Sequence, residues 1–148
     1  VGHENYNSFI NQTEESSSST INEFNLDSKY FKKKLKILNV KNASNFYKKI
    51  PIKIISLDNY IQEKKIKKID ILKIDTEGFE FNVIKGLKNH HQIIKLIYFE
   101  HHYDNMIKKN YKFKDINQLL LDFGFKKIYK SKMYFRKSFE YIYENLAI

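Results

Sequence analysis

Two short runs concentrate the residue types able to move protons and hold polar ligands. Asp75-Thr76-Glu77-Gly78-Phe79-Glu80 groups three carboxylates, and Glu100-His101-His102 sets a carboxylate beside two imidazoles. Carboxylates and imidazoles are ordinary general acids and bases, and they also hold hydroxyl groups. Asp75, Glu77, Glu100 and His101 are the candidate catalytic residues. Glu80 and His102 are candidate substrate contacts, although Glu80 also suits a purely structural place at a helix N-terminus, where the dipole favours an acid. His with carboxylate is a common zinc or iron ligand pair as well. Adjacent strand residues point to opposite faces, however, so His101 and His102 do not easily share one ion. No HExxH helix is present, and no metal ligand is assigned. The serine run Ser16-Ser17-Ser18-Ser19-Thr20 reads as a flexible loop. Ser17 and Ser18 are its candidates for holding a polar substrate.

The elements around these runs decide whether they meet. Ile71, Leu72 and Ile74 form an apolar run flanked by acids, the pattern of a strand covered on both faces, expected over Ile69 to Asp75. Gly78 is a turn residue, and Phe79 to Leu87 carries a helical pattern with Gly86 near its end. Leu96-Ile97-Tyr98-Phe99 is a second apolar strand. A crossover of this length makes the two strands parallel neighbours. Asp75-Thr76-Glu77 and Glu100-His101-His102 should then emerge side by side, beyond the carboxyl ends of strands, where open α/β sheets hold ligands.

Upstream, Tyr6, Phe9 and Ile10 suggest a strand that Asn11-Gln12 break. Ile52 to Ser56 nearly alternates, with Pro51 at the first strand position, and could pair antiparallel with it. Residues 25–49 read as a lysine-rich connection with a short strand or helix near Leu35 to Val40. Ser56 or Asp58 can cap a helix running to about Lys65. Downstream, Ile116, Leu119, Leu120 and Phe123 share one face of a helix over Phe113 to Phe123, stopped by Gly124. Phe125 to Lys130 and Phe139 to Glu144 suggest an antiparallel hairpin. The fold class is α/β, ending β-α-β-α-β-β.

Composition narrows the classes. A chain of 148 residues suits one domain or part of one, and 42% hydrophobic content suffices for a core. The absence of cysteine excludes a disulfide framework and fits a reducing compartment, so a cytoplasmic location is expected. No apolar run approaches the roughly 20 residues that span a bilayer, and no membrane partner is expected. The chain opens on Val1 without a visible leader, as a processed product or a fragment would. The net charge of +10 invites a nucleic-acid partner, but Arg136 is the lone arginine and the lysines are spread out. Arginine is the residue favoured for bidentate phosphate and guanine recognition, so a solvated lysine face is the better reading. No glycine-rich phosphate loop and no G-x-S-x-G elbow can be drawn. Two alternatives stay open: a basic α/β module that binds an anionic partner, and a metal-dependent hydrolase using Asp75, Glu77, Glu100 and His101.

One resemblance goes further. Ser56-Leu57-Asp58-Asn59-Tyr60, then Ile69 to Glu80 as IDILKIDTEGFE, then Val83-Ile84-Lys85-Gly86, closely resembles the FkbM-type methyltransferases, whose signature runs LD…IDLLKIDVEGxE…VLKG. Tyr98-Phe99-Glu100 is similar to that family's next strand, which ends on Glu, and the serine run to a Ser-rich stretch upstream. The likeness is strong over residues 56–100 and weaker on either side. It implies a Rossmann-like doubly wound sheet in which Ile69 to Asp75 is strand 4, Leu96 to Phe99 strand 5, and the hairpin strands 6 and 7, in the partial order 4-5-7-6. It implies S-adenosylmethionine (SAM) as cofactor, Asp75 as a cofactor contact, and a small-molecule or glycan acceptor methylated on a hydroxyl. Family members open with a strand, a Gly-rich turn that cradles SAM and an acid for the ribose. Val1-Gly2-His3-Glu4 looks like the segment just after strand 3. The resemblance therefore implies the C-terminal portion of one domain, with residues 1–55 a β extension and Ser-rich loop and 56–148 the β-α-β-α-β-β half. Most of the SAM site would lie outside such a chain, which would be inactive alone. Its strand 4 would carry an exposed edge.

Overall fold

The structure is a computed structural model that describes residues 1–14, 18–134 and 137–148. In chain order its elements are β1 (Tyr6–Thr13), α1 (Lys29–Ile37), β2 (Tyr47–Ile54), α2 (Leu57–Glu63), β3 (Ile69–Ile74), α3 (Glu80–Lys85), β4 (Ile94–His102), α4 (Phe113–Asp122), β5 (Phe125–Lys132) and β6 (Ser138–Asn145). The main sheet has the order β3-β4-β6-β5, and β1 and β2 form a separate antiparallel ribbon. β3 runs parallel to β4, with Ile74 opposite Phe99. β6 is antiparallel to both of its neighbours, pairing Tyr141 with Phe99 and Lys126 with Glu144. This is the 4-5-7-6 order expected for a partial Rossmann-like methyltransferase sheet.

Strand alternation sorts the side chains. Ile74, Ile97, Phe99, Tyr141 and Tyr143 turn to one face, where Ile61 of α2, Val83 and Ile84 of α3, and Ile116 and Leu120 of α4 complete a single core. The Phe99 ring stacks on Tyr141 and Tyr143 at 5.5 and 5.9 Å. The other face is open at β3 and β5. Ile71 is 61% exposed and Tyr129 49% exposed. The expectation that β3 is covered on both faces is thus corrected: a short apolar run permits double burial, but the helices packed on this sheet share one core.

Residues 25–49 hold more structure than a connection. Ser28 caps α1 by accepting from the Phe31 amide. Phe31 anchors the helix in a second core with Phe24, Phe46, Met106 and Ile107. The helix starts well before the Leu35 to Val40 patch, because one buried phenylalanine outweighs a run of solvated lysines. β1 continues through Asn11-Gln12, since the Asn11 amide and carbonyl both pair with Thr20 and its side chain donates to Asn22 O at 2.8 Å. The antiparallel pairing with β2 is as expected, with Tyr6 opposite Ile54. Pro51, however, lies inside β2 opposite Phe9. A two-stranded ribbon leaves one side of β2 without a strand partner, where the missing N–H costs nothing. Among the described residues no helix is long and apolar enough to cross a membrane.

Candidate active site

The chain leaves β3 through Asp75-Thr76-Glu77-Gly78, and two consecutive residues adopt left-handed backbone, Glu77 at φ 48° and Gly78 at φ 96°. Glycine does this freely, whereas a residue with a Cβ is strained by about 1–2 kcal/mol. Hydrogen bonds hold the turn. The Thr20 hydroxyl donates to Glu77 O at 2.7 Å, and the Asn22 amide nitrogen donates to Gly78 O at 2.6 Å. Glu80, 1% exposed, accepts the Gly78 N–H at 2.8 Å and the Thr76 hydroxyl at 3.2 Å on one oxygen, and the Tyr111 hydroxyl at 2.6 Å on the other. Bonds to a charged acceptor contribute about 1.5–3 kcal/mol each, enough to offset the strain. Burial and the Glu80 carboxylate push the Tyr111 phenol well up, so it stays a donor. A Cβ on Gly78 would meet Ile107 at 3.0 Å, so the position is closed to larger residues in both conformation and space. Glu80, expected as a substrate contact, is committed to this turn instead.

The strained turn aims Glu77 at the end of β4. Its Oε2 lies 3.4 Å from His102 Nε2, and Glu100 Oε1 lies 3.3 Å from the same nitrogen. On the far side of the ring, His102 Nδ1 lies 3.6 Å from Asp104 Oδ2. These are ion-pair distances rather than closed hydrogen bonds, and both Glu100 Oε1 and His102 Nε2 are buried without a hydrogen-bond partner. The four side chains are between 7% and 13% exposed. Burial disfavours the His102 cation, but the neighbouring Asp104 carboxylate and the charges of Glu77 and Glu100 outweigh it and hold its pKa above the usual histidine value. Burial pushes the Glu77 carboxyl up; Glu100 and Asp75 add to this, and His102 and Lys34 oppose it. Burial would raise Asp104 too, but the facing His102 ring and the hydrogen bond from the Met106 amide hold it down.

The other sequence candidates are spread around this centre. Asp75 lies at its exposed rim, 3.5 Å from Lys73. His101 faces the opposite side of the sheet, 3% exposed, with its ring edge-on to Tyr103 at 4.8 Å and near Tyr111 and Phe113. Burial, with the charges of Lys109 and His102, lowers its pKa to about 4. The structure does not bring His101 together with Glu77, Glu100 and His102. Ser18 is buried, accepts a hydrogen bond from Lys34 Nζ, and lines a small cavity of about 100 Å³ with Lys34 and Phe46. Ser17 lies outside the described residues.

Sequence reasoning missed several members. Asp104 continues the polar run after His102 and was open to discovery by that signal. Lys109 donates from Nζ to the His102 carbonyl and lays its Cδ within 3.5 Å of a Cβ built on Gly78. Burial lowers its pKa against the pull of Glu80, Asp104 and Glu77. Nothing distinguishes Lys109 or Tyr111 in a chain this rich in both types. Thr20 and Asn22 act through the fold alone. Together the carboxylates and the imidazolium can accept a hydroxyl proton and hold a cationic or hydroxylated ligand. Among the described residues no group of three or more His, Asp or Glu is arranged to hold a metal ion.

Residues 1–127 match the family model described as the methyltransferase FkbM domain. No curated protein and no solved structure matches the chain.

Proposed function

Because the chain belongs to the FkbM methyltransferase family, we propose that it takes part in moving a methyl group from SAM to a hydroxyl of a sugar or natural-product acceptor, with Glu77 receiving the hydroxyl proton. The observation that carries this reading is the placement of Glu77. It sits on a strained turn at the carboxyl end of β3, nearly buried, facing Glu100 and His102 at the end of the parallel strand. Bound SAM supplies an electrophilic methyl on a sulfonium centre. The carboxylates fit its cationic methionine end, and Asp75, the exposed one, is the residue that would hold it.

Glu77 does the work at the acceptor. Its raised pKa makes it a stronger proton acceptor than an ordinary carboxylate. His102, kept cationic by Asp104, balances the charge of Glu77 and Glu100 and fixes their carboxylates. The near burial of the cluster limits water, and methyl transfer otherwise asks mainly for positioning of the acceptor oxygen. Nothing in the fold or the comparisons supports the basic binding module or the metal-dependent hydrolase.

The test is methyl transfer from methyl-labelled SAM to a panel of hydroxylated acceptors, comparing the chain extended upstream with its Glu77→Gln variant. Loss of a general base should lower kcat by about 10²–10⁴-fold while the circular dichroism spectrum is unchanged. A variant as fast as the unsubstituted extended chain would remove Glu77 from the role, and an extended chain that neither binds SAM nor transfers methyl would remove the cofactor.

A further inference from the structure

Glu77, Glu80, Glu100 and Asp104 gather beyond the ends of β3 and β4, and hydrogen bonding divides them in two. Glu80 spends both oxygens on the turn. Asp104 Oδ1 accepts the Met106 amide at 2.9 Å, and its Oδ2 faces His102 Nδ1. Glu77 and Glu100 accept no hydrogen bond from any described residue, although Glu77 is only 9% exposed and Glu100 Oε1 is buried. Both face one donor. His102 Nε2 is itself buried without a partner, 3.4 Å from Glu77 Oε2 and 3.3 Å from Glu100 Oε1. A buried group left unmet costs about 1–3 kcal/mol, and more when it is charged. One donor and two acceptors unmet at one place therefore mark where a ligand's polar groups go.

The unmet groups say what fits. The occupant must accept one hydrogen bond, from the imidazolium Nε2–H, and donate two, one to each carboxylate. An ammonium or a guanidinium only donates, and a carboxylate only accepts. A single hydroxyl does both, but its one proton serves one carboxylate. Two hydroxyls on adjacent carbons supply both protons and the acceptor within one fixed spacing. They would exchange ion-pair contacts of 3.3 and 3.4 Å for hydrogen bonds of about 2.7–3.0 Å. A primary carboxamide has the same count of donors and acceptors, but it carries no hydroxyl to methylate.

We propose that the acceptor is a vicinal diol, held by Glu77 and Glu100 together, and that Glu100 and His102 select it. The inference deepens the proposed function and rests on it in one respect, that the hydroxyl on Glu77 is the one methylated. Its proton passes to the Glu77 carboxylate as its oxygen forms the new C–O bond, and the bond from that carbon to sulfur breaks with its electron pair left on sulfur. The hydroxyl on Glu100 keeps its proton and accepts from His102 Nε2–H, which leaves the lone pairs of the reacting oxygen for the methyl.

The test uses the chain extended upstream and five probes: the cis and trans vicinal cyclohexanediols, the cyclohexanediol with its hydroxyls on opposite ring carbons, cyclohexanol and cyclohexanecarboxamide. Saturation-transfer NMR without SAM reads affinity. At least one vicinal diol should bind about tenfold more tightly than cyclohexanol, the worth of one hydrogen bond to a charged group, and the opposite-carbon diol should bind like cyclohexanol. Glu100→Ala should bring that ratio to about one, and Glu100→Gln, which keeps a neutral acceptor, should restore part of it. With methyl-labelled SAM the same preference should appear in kcat/KM, chiefly through KM. Cyclohexanol or the opposite-carbon diol bound as tightly as both vicinal diols, the carboxamide bound more tightly than either, or a ratio unchanged in both Glu100 variants would each overturn the diol. A vicinal-diol preference with no methyl transfer would keep the diol site and remove the methyltransferase reading. Methyl transfer to cyclohexanol as efficient as to the vicinal diols would do the reverse.

Discussion

His101 and His102 are neighbours on β4 and face opposite sides of the sheet, and the surroundings move their proton affinities in opposite directions. His101, packed against the rings of Tyr103, Tyr111 and Phe113, falls from the ordinary value of 6.5 to about 4. Between those values the unfolded chain binds a proton that the folded chain excludes, so stability is lost as pH falls through that window. His102 has the opposite sign. Its contribution is full below the ordinary histidine value and is lost as pH rises through its raised one. We expect His101→Phe to show a smaller fall in urea midpoint between pH 6.5 and pH 4 than the native chain. An identical fall in both would mean that the buried imidazole is not the group responsible. Both acids of the EGxE pattern were visible as candidates, but not their division of labour. Glu80 serves the turn and Glu77 faces His102 because one left-handed residue separates a carboxylate that points back into the turn from one that points across to β4.

At the scale of elements, β3 leads into the carboxylate cluster and is also an edge strand of the sheet. It pairs with β4 alone, and Ile71 projects from its uncovered face at 61% exposure. An unpaired edge beside an exposed apolar side chain templates strand addition by a second chain. Ile71→Lys should therefore lower self-association in light scattering while changing unfolding free energy by no more than about 0.5 kcal/mol, as a surface substitution does. Unchanged association would show that this edge is not the sticky surface. The strands, α2, α3, α4 and the closing hairpin were legible because each carries a clean period or cap, such as Ser56 accepting from the Asn59 amide. α1 and the full lengths of β1 and β2 were not. Their sequences are polar, and their stability comes from distant partners, Phe31 on Met106 and Ile107, and Asn11 on Thr20.

For the whole molecule, two cores divide the work. The larger one fixes the sheet and its helices, and the smaller one, built on Phe24, Phe31 and Phe46, sets α1 against the loop that carries Asp104 and Met106. Phe31→Ala should destabilise the smaller core by about 3–5 kcal/mol. Amide exchange should accelerate over residues 24–47 and 104–107 while the amides of β4 and β6 keep their protection. Equal acceleration throughout would show that the two cores unfold as one. The order of the four strands came from the family resemblance, whereas the amino-acid sequence by itself determined the parallel pairing of β3 with β4 and the closing antiparallel hairpin, and hence the meeting of Glu77 with Glu100. Local periods and crossover length suffice for those, because they depend on which residues alternate and how far apart they lie. Only the tertiary structure decided that Glu80 is committed to the turn, that His101 leaves the cluster for the core, and that Asp104, Lys109 and Thr20 join it. Those outcomes depend on which side chain reaches a partner far away in the chain, and no local pattern of residue types encodes such a contact.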